Sequence, residues 1–259
     1  MKNQNERHEK LQTVFRRMFS LQEDVASHEE IRDRLLSGGK VTGTNMCVLI
    51  CAMVIASVGL NVSSTAVIIG AMLISPLMGS IIAMAYGLVS NDFPLWRNHA
   101  VGFAMQILIS LATSTIYFLL SPLKTATPEL LARTSPTFFD VIIATAGGVA
   151  GIIGQTRSGK YNSIIPGVAI ATALMPPICT CGYSIANGNW KMLGGAAYLF
   201  IVNAYFIFLA SAIILSVLKT PKVRELTEKE WKKLRFRMVR NTLIILIPSL
   251  VLGYFMLQG

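Results

Sequence analysis

Residues 65–89, TAVIIGAMLISPLMGSIIAMAYGLV, carry no charge and are long enough to cross a bilayer as a helix, about 37 Å at roughly 1.5 Å per residue. Ser75-Pro76 sits at their middle. Proline has no amide hydrogen and crowds the carbonyl one turn back, so this helix is expected to kink or break near mid-membrane. Residues 163–187, SIIPGVAIATALMPPICTCGYSIAN, repeat the arrangement around Pro176-Pro177. Two spanning helices broken at matching depth point to a transporter-like site between them.

The composition excludes an ordinary soluble domain. Of the 259 residues 14% are charged and 53% apolar, whereas soluble domains run near a quarter charged. The expected fold is all-α: a polytopic membrane bundle of about seven spans, at 45–60, 65–89, 99–120, 138–155, 163–187, 192–218 and 241–257. Residues 1–44 form a charged amino-terminal segment. In it Leu11, Val14, Phe15, Met18 and Phe19 share one helical face, suited to a leaflet or to the protein's own surface. Ser27 and Glu30 have the spacing of a capping box for a second short helix. Residues 45–218 form a six-span core, 219–240 a basic helix opened by Thr227 and Glu230, and 241–259 the seventh span.

The basic balance, +10, has a topological reading. With the amino terminus inside, the inner segments hold 20 Lys and Arg; the outer side holds Lys124, Arg133 and Lys191. That asymmetry satisfies the positive-inside rule, so the expected location is the cell's inner (plasma) membrane, multi-pass, with a cytoplasmic amino terminus. Lipid is the expected partner of the basic segments, and nucleic acid is not needed to explain them. No cleavable leader pattern is seen at the start.

Spans one to three (45–120) and four to six (138–218) follow the same order: a short span, a long one with central proline, a polar turn, a full span. Pro76 with Trp96 is laid over Pro176 with Trp190. An odd number of spans per unit makes the second unit enter from the opposite side, an inverted 3+3 repeat.

The strings VIIGAMLISPLMGSI, FFDVIIATAGGVAGIIG and IIPGVAIATALMPPI, in this order, resemble the bacterial family of integral membrane proteins catalogued as domain of unknown function 389. The resemblance covers roughly residues 45–215. It implies a helical membrane domain and carries no established substrate or reaction.

Candidate chemistry is sparse. Pro76, Pro176 and Pro177 free backbone carbonyls that lipid cannot satisfy. Ser75, Thr172 and Thr180 are placed to supply hydroxyls, and a solute or ion is the other candidate partner. Asp140 is the sole acidic residue inside a span. It fits an ion or proton pathway, and with Thr137 it equally fits a helix cap. Gly147, Gly148, Gly151 and Gly154 in span four, and Gly79, Ala83 and Gly87 in span two, are small residues for close packing, expected to bring those two spans together. Gly154-Gln-Thr-Arg-Ser-Gly159-Lys160 imitates a phosphate loop, but Tyr161 stands where Ser or Thr should, and no strand precedes it. Asn61-Val62-Ser63 matches a glycosylation acceptor, and capping of span two by Ser63, Ser64 or Thr65 is preferred. Cys47, Cys51, Cys179 and Cys181 read as packing residues. No metal site, cofactor or base–nucleophile pair is expected, hence no enzyme.

The sequence therefore leads to a secondary transporter or channel-like protein for a small solute or ion. Its site would be shaped by Ser75, Pro76, Asp140, Thr172, Pro176, Pro177 and Thr180. The alternative is a membrane-embedded scaffold or sensor acting through 1–44 and 219–240. Homo-oligomerisation is left open.

Overall fold

The structure, a computed structural model, describes residues 24–158 and 165–258, without the side chains of 165–173 and 249–258. The apolar face at 11–19 and the far end of the phosphate-loop look-alike lie outside the described residues. The described residues contain ten helices and no strand. They are α1 (His28–Gly38), α2 (Gly43–Asn61), α3 (Thr65–Leu73), α4 (Leu77–Val89), α5 (Phe93–Leu120), α6 (Pro128–Leu131), α7 (Phe138–Thr156), α8 (Ile165–Ala186), α9 (Trp190–Val217) and α10 (Glu228–Gln258). Among the described residues, α2, α5, α7 and α9 are each long and apolar enough to cross a membrane, and the bent pair α3–α4 makes a fifth candidate. Leu108, Ile116, Leu120, Ile201 and Ile213 point outward from α5 and α9, as helices surrounded by lipid require.

Local chemistry sets the helix ends. The Leu95 amide donates to Asp92 at the start of α5 and the Met192 amide donates to Asn189 at the start of α9. The turns before them each contain one left-handed residue, Asn91 (φ 57°) and Gly188 (φ 66°). The Thr227–Glu230 box opens α10, which runs without interruption through the basic segment into the last apolar stretch, with Pro248 inside it. Ser64 caps α3 by backbone only: its side chain makes no cap bond, and the Thr65 hydroxyl goes to Glu129 instead. Asn61 is buried, donating to Ser121 at 2.6 Å and to Tyr117 at 3.3 Å, so it is no accessible acceptor.

The break at Pro76 is present. The amides of Ile74 and Ser75 reach back only three residues, to Ala71 and Met72, after which α4 leaves at 47° to α3. The second expected break is not: Pro176 and Pro177 lie inside the continuous helix α8. Each proline removes only its own donor, and α8 is packed on α3, α5, α7 and α9, so neighbouring turns hold it. The expected packing of spans two and four also differs. A Cβ on Gly148 of α7 would lie 2.9 Å from Ile207 Cα of α9, and one on Gly87 of α4 would lie 2.8 Å from the Trp96 amide nitrogen of α5. The small residues bring α7 to α9 and α4 to α5, because a face without side chains lets the facing backbone approach closely.

Contacts at the helix ends sort the connections onto two faces. On one, α1 is strapped to the end of α7, where Arg34 donates to the Gln155 and Arg157 carbonyls, and the Val223 amide bonds the Ser90 carbonyl. On the other, Thr127 bonds the Leu60 carbonyl and Tyr183 bonds the Lys124 carbonyl. Tyr198 and Tyr205 of α9 tether α10 through Ile245, Met238 and Thr242.

Candidate functional site

Connections that cross the face opposite α1 leave a cavity of about 220 Å³ between α3, α6, α7, α8 and α9. One wall is α3, with Thr65, Ile68, Ile69 and Met72 at successive turns. Opposite it stand Asp140 and Ile143 from α7, Pro177 from α8, and Leu199 and Asn203 from α9. Glu129 and Arg133, from α6 and the residues after it, complete the mouth. Asn203 lies 13 residues into α9, about 20 Å along the helix at roughly 1.5 Å per residue, so the cavity runs from that face to the middle of the bundle.

The polar groups are held in place. Glu129 accepts the Thr65 hydroxyl at 2.9 Å on one oxygen and faces Arg133 at 3.8 Å on the other. Arg133 Nε is buried and has no partner among the described residues. Asp140, half-buried, takes the Thr137 amide at 2.7 Å and the Thr137 hydroxyl at 2.9 Å, both on Oδ2. The capping reading of Thr137 and Asp140 is therefore correct as geometry, and the same carboxylate also lines the cavity. Asn203 is 4% exposed. The lining carries two carboxylates, one guanidinium, one amide and one hydroxyl against six apolar residues, and so suits a ligand with one polar end.

Of the residues singled out from the sequence, the cavity joins Asp140 and Pro177. Ser75 and Pro76 lie at the break, half-buried and outside it, with the Leu77 amide donating to Ser75 Oγ at 3.4 Å. Pro176 is buried next to Pro177 but does not line the cavity. Thr180 is fully buried and its hydroxyl has no partner among the described residues, so it does not serve the carbonyls freed by the prolines. The Thr172 side chain lies outside the described ones. Sequence reasoning missed Thr65, Glu129, Arg133 and Asn203. Asn203 had a readable signal, an amide halfway along an apolar helix. Glu129 and Arg133 had none beyond an i, i+4 pair in a connection.

Cysteines play no part: Cys47 and Cys51 are exposed, Cys179 and Cys181 buried, and no cluster of three metal-ligating side chains occurs among the described residues.

The model of a family described as a domain of unknown function, DUF389, matches residues 72–209. That stretch runs from the break to α9 and contains Asp140, Pro177 and Asn203. The chain is similar to an uncharacterised protein of Methanocaldococcus jannaschii, 28% identical over 213 residues, 82% of this chain and 64% of the relative. The chain thus spans less than two thirds of that protein's length. No solved structure matches it significantly.

Proposed function

The chain belongs to the family described as domain of unknown function 389, and from that premise we propose that it is a secondary transporter or channel-like protein of the inner (plasma) membrane, its amino terminus cytoplasmic. The observation that carries this reading is the cavity itself. It is a mixed polar and apolar hollow reaching from one face to mid-bundle, next to the broken span, with an ionisable residue on its wall.

We infer with it an inverted repeat, which matched helix lengths, turns and packing support. Helices α2 and α7 both have 19 residues, and α5 and α9 both have 28. The α4–α5 and α8–α9 turns carry the same bonds at a spacing of 97 residues: Asp92 to Gly87 and Asn189 to Ser184, both at 2.9 Å. Cross-packing is matched too, α5 on α8 and α4 on α9. This register pairs Phe93, not Trp96, with Trp190, and Ser80 with Pro177. It also pairs the two buried amides, Gln106 and Asn203, each fourteenth in its helix.

The same register gives the cavity a counterpart on the α1 face at Ser80, Gly102 and Gln106, and aligning the starts of α2 and α7, two residues off that register, sets Asn45 against Asp140. That counterpart is filled. The Gly39 carbonyl accepts Ser80 Oγ at 3.4 Å, Asn45 Nδ2 donates to the Lys40 carbonyl at 2.8 Å, and a Cβ on Gly102 would touch Val41. One half-site open and its twin plugged is the asymmetry that alternating access requires of two related halves. Asn45, third in α2 as Asp140 is third in α7, is uncharged: its backbone amide donates to the Thr42 hydroxyl at 3.2 Å and its side chain turns away to the Lys40 carbonyl.

The test is flux. Protein reconstituted in vesicles is offered panels of labelled cations, zwitterions, anions and sugars; uptake of one class is expected, reduced at least tenfold by Asp140→Asn. No flux and no binding on any panel overturns the reading. In that event loss of phenotype on deleting residues 1–44, with Asp140→Asn intact, selects the scaffold or sensor.

A further inference from the structure

We propose that the cavity takes a small organic cation, a protonated amine on a short apolar body, with Asp140 as its counter-charge. This inference rests on the transport reading and names its substrate class. The charges decide the sign. Glu129 and Arg133 face one another and offset, and Thr65 fixes Glu129 in that arrangement. Asp140 is left as the excess charge on the wall. Both hydrogen bonds to its carboxylate fall on Oδ2, and no donor among the described residues meets Oδ1.

The walls decide between an amine and a bare metal ion. Ile68, Ile69, Met72, Ile143, Leu199 and Pro177 supply no oxygen ligand. Alkaline-earth ions held by protein want six or more oxygens, and the polar oxygens here stand on separate helices around an apolar wall. An ammonium needs only a few acceptors and presents its carbon body to the apolar residues. Size agrees: at about 30 Å³ per liquid water the cavity holds roughly seven waters, the room of a short alkylamine rather than of a sugar or nucleotide. Asn203 closes the deep end.

The probe is n-butylammonium, titrated into the purified full chain in detergent by calorimetry, beside n-butanol, norleucine, butyrate and potassium chloride. Binding of n-butylammonium is expected, with n-butanol and butyrate at least tenfold weaker. Asp140→Asn is expected to lose the charge discrimination while keeping the fold, since an amide oxygen at 140 still accepts the Thr137 amide. Equal binding of butylammonium to wild type and Asp140→Asn overturns the proposal, as does tighter binding of norleucine, butyrate or potassium, or no binding of butylammonium. The two readings fail separately. Butylammonium binding without flux sinks transport and keeps this site; flux of another class without butylammonium binding does the reverse.

Discussion

Glu230 shows how much one side chain fixes at the start of α10. Its carboxylate accepts the Thr227 amide and hydroxyl, each at 3.0 Å, and pairs with Arg224. The Thr227 amide, then its hydroxyl, then Arg224 hold the Glu230 carboxyl below the usual carboxylate range. A depressed folded-state value means that this contribution is fully present above the unfolded-state value, about 4.3, and is lost as pH falls through the lower folded one. Fraying of the α10 start is therefore expected only under acid, followed by amide exchange at 228–232, and Glu230→Gln removes that pH dependence. Flat exchange in the wild type across the acid range contradicts the assignment. Spacing made this box readable, as it did Thr137 with Asp140, because a cap is closed by residues three apart. The Glu129–Arg133 pair was not readable as part of a site. Its place above Thr65 is set by how the α5–α7 connection crosses the bundle.

At the scale of elements, close approach decides which helices meet. Gly148 leaves no room between α7 and α9, where an added Cβ would be 2.9 Å from both the Ile207 backbone and Ala210. Gly148→Leu is expected to destabilise the bundle by about 1–3 kcal/mol, since overpacking forces backbone shifts. Gly194→Leu, exposed and with open space around its position, is the control expected to be near neutral. Thermal unfolding in detergent measures both, and equal midpoints for the two variants contradict the packing. The contrast between Pro76 and Pro176-Pro177 belongs to this scale as well. The residues before Pro76 close into three-residue turns, and the end of α1 abuts Gly79 just beyond the break, where a Cβ would overlap the Gly38 carbonyl. Pro176 and Pro177 are buried among four helices and their helix continues. A proline states that a bond is missing; its neighbours decide whether the helix bends.

Over the described residues, the connections alternate between two faces, and the charge count gives an expectation of which is inner. By sequence, 20 Lys and Arg belong to the segments expected on the inner side and 3 to those expected outside. A periplasm-active reporter joined after Gly259 is expected to be active, and one joined after Val223 inactive. The opposite pattern reverses the orientation and moves the open cavity to the inner side.

Hydrophobic runs alone determined the helical class and, to within a few residues, the limits of helices α2, α7, α8 and α9, because lipid leaves a backbone few alternatives. Only the tertiary structure decided that Asp140 shares a hollow with Thr65, Glu129, Arg133 and Asn203, and that residues 39–41 pack against Asn45, Ser80 and Gly102 on the other face. Those groups come from helices far apart in the chain. Their meeting depends on which small-residue faces dock, and no local pattern records that choice.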